Sequence, residues 1–279
     1  MADPRSILVT GCSSGIGEAC ARGLHARGWR VFATARQPGD LRRLEEAGLE
    51  AVHLDYREPR SIAAAVDEIA DRLGSVPDAL FNNGAYGQPG AVEDLARDVL
   101  RAQFETNLFG WHELTCRLLP GMRARGSGRI VQCSSVLGLV AMRWRGAYNA
   151  SKFALEGLTD TLRLELRGSG IHVSLIEPGP IASRFTEHAL KAMRDNIDIE
   201  TSPHAEAYRR HLALLEGGGT SSPFKLPPEA VLKRLVHALE APRPKPRYYV
   251  TVPTYLMASL RRILPYRALD RVLSGASES

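Results

Sequence analysis

A short apolar run, residues 6–10, leads directly into a glycine-rich turn, residues 11–17 (GCSSGIG), and then into a helical pattern over residues 18–27. Glycine lets a backbone approach a bulky anion closely, and the start of the following helix offers free N–H groups and a partial positive charge. This order predicts a site for the pyrophosphate of a dinucleotide, although any tight strand-to-helix turn could look similar. The residues predicted to line the cofactor here are Gly11, Ser13, Ser14, Gly15, Ile16 and Gly17.

Further apolar runs alternate with helical patterns along most of the chain. The predicted strands cover residues 30–35, 49–54, 78–82, 129–133, 171–176 and 247–252, and the predicted helices cover residues 38–47, 59–73, 93–125, 147–168 and 227–241. Strict alternation predicts an α/β chain with a single-domain Rossmann fold, in which helices cover both faces of a doubly wound parallel sheet. Ligands of such sheets bind at the carboxyl ends of the strands, so we expect the site there.

The second predicted strand is followed by Arg36, and no Asp or Glu occurs between Trp29 and Gln37. An acidic residue here would bind the ribose 2′-hydroxyl of NAD, whereas an arginine accommodates the 2′-phosphate of NADP. Arg36, together with Ser13, therefore predicts NADP(H), the alternative being a solvated surface arginine. Asp55 follows the third strand and is expected to lie near the adenine. The fourth strand is followed by three more predicted cofactor residues, Asn83, Gly84 and Ala85.

Tyr148 and Lys152 are four positions apart, so they share one face of a predicted helix. A phenol has a pKa of about 10, and a neighbouring ammonium is expected to lower that value toward neutrality. Ser135 stands thirteen residues before Tyr148, and Asn107 stands inside a predicted helix, where asparagine is disfavoured unless it is solvated or has a task. The pair alone could be a packed tyrosine beside a solvated lysine. With Ser135, Asn107 and the glycine turn, it predicts an acid/base site.

These motifs together resemble the short-chain dehydrogenase/reductase family over roughly residues 6–252. The matching segments are residues 10–17 (TGCSSGIG), 82–83 (NN), Asn107, 135–138 (SVLG), 148–152 (YNASK) and 178–179 (PG). One departure is that residues 82–85 read Asn-Asn-Gly-Ala where the family usually has Asn-Asn-Ala-Gly, which keeps both exchanged residues small. The closer resemblance is to members similar to 17β-hydroxysteroid and retinol dehydrogenases, including bacterial NADP-dependent aldehyde reductases.

The resemblance implies a role for each residue of the predicted site. Tyr148 exchanges a proton with the reacting oxygen, and Lys152 lowers the Tyr148 pKa and holds the nicotinamide ribose. Ser135, chosen over Ser134 for its spacing from the tyrosine, hydrogen-bonds the same oxygen. Asn107 holds a water that connects Lys152 to solvent. The cofactor contacts implied in this half of the chain are Asn107, Tyr148, Lys152, Pro178, Gly179 and Ile181.

The resemblance further implies an oxidoreductase that transfers hydride between NADP(H) and a carbonyl/alcohol pair. An apolar loop, residues 137–144, would flank the site, which favours the reduction of a small apolar aldehyde or ketone. One alternative is the same chemistry run as oxidation of a steroid- or retinol-type alcohol. Another is a non-catalytic NADP sensor, whose signature would be the loss of Tyr148 or Lys152.

Two segments fall outside the alternation. Residues 181–227 combine helical patches with a glycine run, and such an insertion beside a ligand edge predicts a substrate lid, the alternative being a disordered linker. Residues 253–279 form an amphipathic, basic C-terminal tail after a Rossmann NADP-binding and catalytic domain over residues 1–252. Its leucine-rich stripe could pack on the domain, form the subunit contact of a homodimer or homotetramer, or make peripheral contact with an anionic membrane. The first two uses are more frequent.

The net charge of +5 is concentrated near that tail, because residues 243–271 contain seven Lys or Arg and one Asp. The preceding residues are electrically balanced, so no nucleic-acid partner is expected. No apolar run reaches the roughly 18 residues of a membrane span and no signal-peptide core is evident, so a cytoplasmic location is expected. The cysteines and histidines show no ligand spacing, and no metal is expected.

Overall fold

The computed structural model describes residues 4–216 and 223–278. Its strands form one seven-stranded parallel sheet in the spatial order β3-β2-β1-β4-β5-β6-β7. The strands are β1 (Ser6–Val9), β2 (Arg30–Ala35), β3 (Glu50–His53), β4 (Ala79–Asn82), β5 (Gly128–Cys133), β6 (Ile171–Glu177) and β7 (Arg247–Tyr249). Strands β1 to β3 are added toward one edge of the sheet and β4 to β7 toward the other. The switch point between β1 and β4 opens the crevice in which such sheets bind ligands. The predicted doubly wound Rossmann fold is confirmed.

Helices connect the strands and cover the sheet. They are α1 (Gly15–His25), α2 (Pro38–Glu46), α3 (Pro59–Leu73), α4 (Arg97–Phe104), α5 (Gly110–Arg125), α6 (Gly146–Glu165), α7 (Phe185–Asn196), α8 (Ala205–Glu216), α9 (Glu229–Glu240), α10 (Val252–Ile263) and α11 (Tyr266–Glu278). Helix α1 packs against α9, and α3 packs against α5. Because helices cover both faces, β1 and β4 are buried along their whole length, which explains their mostly apolar sequences.

The long helix predicted over residues 93–125 is interrupted in the structure. A short 3₁₀ turn, Val92–Asp94, precedes α4, and one π-helical turn, Glu105–Phe109, separates α4 from α5. The wider turn directs two polar side chains inward, Gln103 just before it and Asn107 within it, and both are fully buried. A π-turn inside a helix often marks a functional site.

The C-terminal segment also differs from the prediction. The strand expected over residues 247–252 ends at Tyr249, and α10 begins at Val252, because Thr251 leads into the helix and Pro253 occupies its first turn. Pro265 separates α10 from α11. Buried Thr254 and Ala258 attach one face of α10 to the domain. No helix among the described residues is long and apolar enough to cross a membrane.

The segment predicted as a lid contains α7 and α8. Its two ends meet, since Ile181 and Leu226 form a parallel bridge and Ala182 N–H donates to the Leu226 carbonyl at 2.9 Å. Between them, Met193 and Tyr208 belong to a small apolar cluster separate from the main core. The glycine run at residues 217–219 lies outside the described residues.

Candidate active site

The glycine turn after β1 forms a cradle in which side chains would not fit. Gly11 has a φ of +68°, and a Cβ there would lie 2.4 Å from the Gly84 Cα. Gly15 has a φ of +59°, and its Cβ would lie 2.9 Å from the Ser183 Cβ. Ser14 precedes α1 without a side-chain cap, so the first N–H groups of the helix remain available. The cradle therefore fits the pyrophosphate of a dinucleotide.

The segment after β4 packs directly against this cradle. The Asn83 side chain donates to the Thr10 carbonyl at 3.0 Å, and the Trp111 indole donates to the Gly84 carbonyl at 2.9 Å. A Cβ on Gly84 would lie 3.2 Å from the Tyr56 ring, tighter than ordinary contacts. Glycine at position 84, where the family usually has alanine, therefore leaves room for the ring of the buried Tyr56. Ala85 follows and packs against the main core.

Charged side chains gather where β2 and β3 end. Arg36 Nη1 lies 3.9 Å from Asp55 Oδ2, and Arg57 Nη2 lies 3.3 Å from the same oxygen. Burial raises the Asp55 pKa, but hydrogen bonds from the Arg57 backbone and guanidinium outweigh that effect and lower the pKa overall. The Arg36 side chain is 59% exposed, so its guanidinium can reach a ligand phosphate at this edge.

Two further arginines reach the glycine turn, and the sequence analysis missed both. Arg43 and Arg184 donate to the Ser13 carbonyl at 2.6 and 3.2 Å. Arg43 comes from α2 and Arg184 immediately precedes α7. No sequence spacing relates these residues to Ser13, because the sheet topology brings them together.

Ser135 and Tyr148 meet at the carboxyl end of β5. Ser135 Oγ accepts the Leu137 N–H at 3.1 Å, which fixes the serine at the start of a 3₁₀ turn. The Ser135 hydroxyl also hydrogen-bonds the Tyr148 side chain. The neighbouring Ser134 faces away, because its hydroxyl lies beside Glu156. Of the two serines, the structure brings Ser135 to the tyrosine.

Lys152 lies one turn after Tyr148 in α6 and is 1% exposed. Its Nζ donates to the Cys133 carbonyl at 2.8 Å and lies 4.3 Å from the centre of the Trp111 ring. The same Nζ is 5.6 Å from the centre of the Tyr148 ring. The lysine is therefore held beneath the tyrosine by a carbonyl and an aromatic face.

The protonation states differ from the expectation that Lys152 lowers the Tyr148 pKa. Burial raises the pKa of Tyr148 above the usual phenol value, while the hydrogen bond with Ser135 and the charge of Arg145 act in the opposite direction. Burial also lowers the pKa of Lys152 to about 8. Desolvation disfavours the charged form of each group, so both are shifted toward neutrality. Tyr148 therefore carries its proton at neutral pH.

Asn107 occupies the π-turn and faces the segment after β4. Its Oδ1 accepts the Tyr86 N–H at 3.2 Å, and its Nδ2 donates to the Tyr86 carbonyl at 2.9 Å. Nδ2 also lies 3.3 Å from Ser151 Oγ, beside Lys152 on α6. The structure therefore brings Asn107 to the residue next to Lys152 without a direct bond to the lysine amine.

The segment after β6 closes the other side of the crevice. The Pro178 carbonyl accepts the Val136 N–H at 2.8 Å, and a Cβ on Gly179 would lie 2.1 Å from Thr251 Oγ1. Ile181 packs partly against the main core. Beyond it, Phe185 of α7 packs edge-on against Tyr148 with ring centres 5.4 Å apart. The sequence analysis missed Phe185 and Ser183, which lie where the predicted lid begins.

These residues fit a nicotinamide dinucleotide: the glycine cradle and the helix start suit the pyrophosphate, and the Tyr148–Lys152 pair lies further along the same crevice. Among the described residues, no three His, Cys, Asp or Glu side chains are grouped as metal ligands. The site thus combines a dinucleotide cradle with a protonated phenol, a hydroxyl partner and a buried amine.

Comparisons with known proteins agree with this geometry. A family model described as short chain dehydrogenase matches residues 5–194. The Escherichia coli (strain K12) protein named Uncharacterized oxidoreductase YbbO is 42% identical over 271 residues, covering 97% of this chain and 94% of that protein. Human 17-beta-hydroxysteroid dehydrogenase type 1 is 35% identical over 260 residues, covering 88% and 77%. Human retinol dehydrogenase 8 is 32% identical over 272 residues, covering 94% and 86%.

The family match covers most of the Rossmann sheet, the glycine turn and the Tyr148 helix. The similarity to hydroxysteroid and retinol dehydrogenases confirms the closer resemblance indicated by the sequence motifs. The chain belongs to the short-chain dehydrogenase family of oxidoreductases, whose members bind a nicotinamide cofactor.

Proposed function

We propose that this protein uses NADP(H) to reduce an apolar aldehyde or ketone to the alcohol. The observation that supports the proposal best is the hydrogen-bonded pair of Ser135 and Tyr148, with the Lys152 amine held beneath it. A phenol that keeps its proton, beside a second hydroxyl, can bind a carbonyl oxygen and protonate it. Reduction requires that the carbonyl oxygen be both hydrogen-bonded and protonated.

In this mechanism the nicotinamide supplies hydride to the carbonyl carbon. Tyr148 gives its proton to the carbonyl oxygen, and Ser135 donates a hydrogen bond to the same oxygen as negative charge develops. The Lys152 ammonium stabilises the phenolate left on Tyr148 and holds the nicotinamide ribose. Lys152 then passes a proton to the Tyr148 phenolate. Asn107 fixes the Tyr86 backbone and orders a water through which solvent returns a proton to Lys152.

The protonated form of Tyr148 is the form that acts in reduction. Because burial raises the Tyr148 pKa, the neutral phenol predominates at physiological pH, and a neutral phenol is the form that protonates a carbonyl. Oxidation of a steroid- or retinol-type alcohol needs the phenolate and is the second candidate, supported by the relatives that carry those names. A non-catalytic sensor would not need Tyr148 and Lys152 in contact with Ser135 and Cys133.

The apolar character of the substrate is inferred from the walls around Tyr148. Leu139 and Val140 are buried in the loop that precedes α6, and Phe185 packs on the tyrosine from the lid. We propose that residues 181–227 act as this lid, hinged where Ile181 pairs with Leu226. Oxidation of NADPH measured against aldehydes and ketones of graded size tests the proposal. Turnover is expected to increase with apolar size, and no turnover with any of them would favour the sensor.

Arg36 is proposed to select NADP over NAD through the 2′-phosphate. Arg36→Asp places a second carboxylate next to Asp55 and repels the phosphate, so we expect the ratio of kcat/KM for NADPH over NADH to fall at least about a hundredfold, below one. Steady-state rates with both cofactors and one aldehyde measure it. Arg42→Asp makes the same charge change at an exposed position of α2 and is expected to keep the wild-type preference. An unchanged ratio in Arg36→Asp would remove the argument for NADP.

Lys152 gives the reaction a pH dependence. Its pKa is lowered to about 8, so the ammonium is present below that pH and is lost as the pH rises through it. We expect kcat/KM for reduction to decline above about pH 8, with Lys152→Arg moving the decline to higher pH because arginine keeps its proton. A profile of kcat/KM from acid to alkaline pH tests this. An identical decline in both proteins would assign the titration to another group.

The C-terminal tail is proposed as a subunit contact in a homodimer or homotetramer. Its exposed apolar side chains have no partner surface within the described residues of the subunit: Ile263 and Tyr266 are 76% and 86% exposed around the Pro265 break. Peripheral membrane contact is the alternative, because Arg261 and Arg262 lie beside them. Sedimentation of the full chain, with and without anionic vesicles, separates a concentration-dependent oligomer from vesicle binding.

A further inference from the structure

Arg145 stands at the entrance of α6, three residues before Tyr148, and its backbone is fixed from two sides. It forms a parallel bridge with Gly90, and the Gly90 N–H donates to the Trp144 carbonyl at 3.0 Å. Among the described residues, Trp144 is the one non-glycine residue with a left-handed φ, at 62°. It keeps this conformation, at a cost of about 1–2 kcal/mol, because its ring packs against Tyr208, with ring centres 5.6 Å apart. The strained turn thus directs Arg145 into α6.

Arg145 has no carboxylate partner among the side chains that the structure describes. The titratable group among them that interacts with it is Tyr148. A guanidinium does not lose its proton in proteins, so Arg145 remains a cation one helical turn from the catalytic phenol. Arg247 shows the usual solution for a buried arginine in this fold, since it contacts three carboxylates. Arg145 is partly exposed and lacks such a partner, so its guanidinium can pair with an anion that a ligand supplies.

The phosphates of the cofactor are not placed to be that anion. The glycine cradle and Arg36 lie at the ends of β1 and β2, on the other side of the switch point. Arg145 belongs instead to the β5 side, where it is bridged to Gly90 and directly follows Trp144, which packs against the small apolar cluster of the lid. The residue is also partly exposed, so its side chain is open to a ligand. The ligand left to supply an anion to Arg145 is therefore the substrate.

We propose that Arg145 binds an anionic group of the substrate, so that the preferred substrates are oxo acids with an apolar chain. This inference rests on the proposed carbonyl reduction and names its substrate class. The guanidinium would hold a carboxylate through two parallel hydrogen bonds and so place the nearby carbonyl at Tyr148 and Ser135. In the reaction the carbonyl carbon gains hydride and its oxygen gains the Tyr148 proton, while the carboxylate is unchanged.

The competing role for Arg145 is to tune Tyr148 alone. The guanidinium acts to lower the Tyr148 pKa, and its removal would then slow the reduction of every substrate to the same extent. Substrate recognition predicts a different pattern, because only the acids lose a partner. The ratio of kcat/KM for an acid to that for its methyl ester, within one protein, cancels any general effect on proton donation. This ratio is therefore the readout that separates the two roles.

The test uses 2-oxo, 3-oxo and 4-oxo acids of one chain length, each paired with its methyl ester, with NADPH. In the wild-type protein we expect at least one acid to be preferred over its ester about tenfold to hundredfold, as for hydrogen bonds to a charged group. Arg145→Gln is expected to bring that ratio close to one. Arg143→Gln removes an exposed arginine from the same loop and is expected to keep the wild-type ratio.

Two results would overturn the proposal. One is a wild-type ratio near or below one for all three pairs. The other is an undiminished ratio in Arg145→Gln, which is what an equal loss for acid and ester would give. Reduction of neutral ketones without any preference for acids would reject the oxo-acid proposal and leave the carbonyl reductase intact. The absence of turnover with every carbonyl compound would reject the proposed function itself.

Discussion

Replacing Tyr148 with phenylalanine is expected to lower kcat for carbonyl reduction by about a hundredfold to ten-thousandfold, the range for loss of a general acid. The change removes the hydroxyl that Ser135 contacts and keeps the ring that packs against Phe185. The Kd for NADPH is expected to change little, because the glycine cradle and Arg36 lie away from that hydroxyl. Stopped-flow hydride transfer and fluorescence titration of NADPH measure the two quantities separately.

Tyr249→Phe is the matched control for this experiment. Tyr249 is a half-buried residue of β7 whose ring packs edge-on against Tyr255, with centres 5.3 Å apart. We expect nearly wild-type turnover in this variant. A Tyr148→Phe protein with a similarly normal rate would contradict the assignment of the proton donor.

Arg247→Met is expected to lower the free energy of unfolding by about 3–5 kcal/mol at pH 7, as for a buried ion pair that loses one partner. Arg247 of β7 donates to Glu156 of α6 and, at 2.6 Å, to both Glu177 of β6 and Asp160 of α6. Glu177 is fully buried and the Glu156 side chain is 7% exposed. Without the guanidinium, these two buried carboxyl groups lose the cation that hydrogen-bonds both of them. Urea unfolding of the variant and the wild type measures the loss.

The deficit of Arg247→Met is expected to shrink as the pH falls. In the wild-type protein, burial and, to a smaller extent, repulsion by Glu156 raise the Glu177 pKa to about 8. Burial also raises the Glu156 pKa, and removing the cation raises the pKa values of both groups further. A carboxylate with a raised pKa in the folded state binds more protons than in the unfolded state, so stability grows as the pH falls toward the unfolded value of about 4.5. The difference between the two proteins narrows where the variant is protonated and the wild type is not, which for Glu177 lies above about pH 8. An unfolding series from pH 10 to pH 5 follows this trend.

Arg163→Met provides the comparison, because Arg163 pairs with the same Asp160 at 2.5 Å but both side chains are about one-third exposed. Exposed pairs contribute less than about 1 kcal/mol, and no pH trend beyond the wild type is expected. If Arg247→Met were no less stable than Arg163→Met, the buried cluster would not be a major source of stability.

Much of the fold follows from local patterns in the sequence. Strands buried on both faces, such as β1 and β4, consist mostly of apolar residues, and glycines with positive φ, such as Gly11 and Gly15, mark a turn that has no room for side chains. The spacing of Ser135, Tyr148 and Lys152 also predicted which side chains would meet, because α6 and the end of β5 fix their distances.

Other features depend on tertiary burial and leave no pattern in the sequence. The ammonium of Lys152 was expected to lower the Tyr148 pKa, but burial is the largest effect on both groups and shifts each toward its neutral form. The extra residue of the π-turn at Asn107 comes from packing against Tyr86 rather than from helix propensity. Arg247 finds its carboxylates across 70 to 91 positions of sequence, a relation only the folded sheet creates.

The sequence already shows that Arg145 is close to Tyr148. It lies three residues before Tyr148, which puts both on one face at the start of α6. What the sequence does not reveal is that no carboxylate accompanies it in the described fold. Spacing identifies neighbours along a helix, whereas the lack of a counter-charge depends on every segment that packs around it.

The most direct test of the account is transfer of a labelled hydride. NADPH carrying deuterium at its hydride-donating position is incubated with an apolar aldehyde or ketone and the protein, and the product is examined by mass spectrometry and NMR. We predict that the wild-type protein forms an alcohol with one deuterium on the former carbonyl carbon. Tyr148→Phe is expected to form the same labelled alcohol far more slowly. Consumption of NADPH without labelled alcohol, or equal labelling by the two proteins, would contradict reduction through Tyr148.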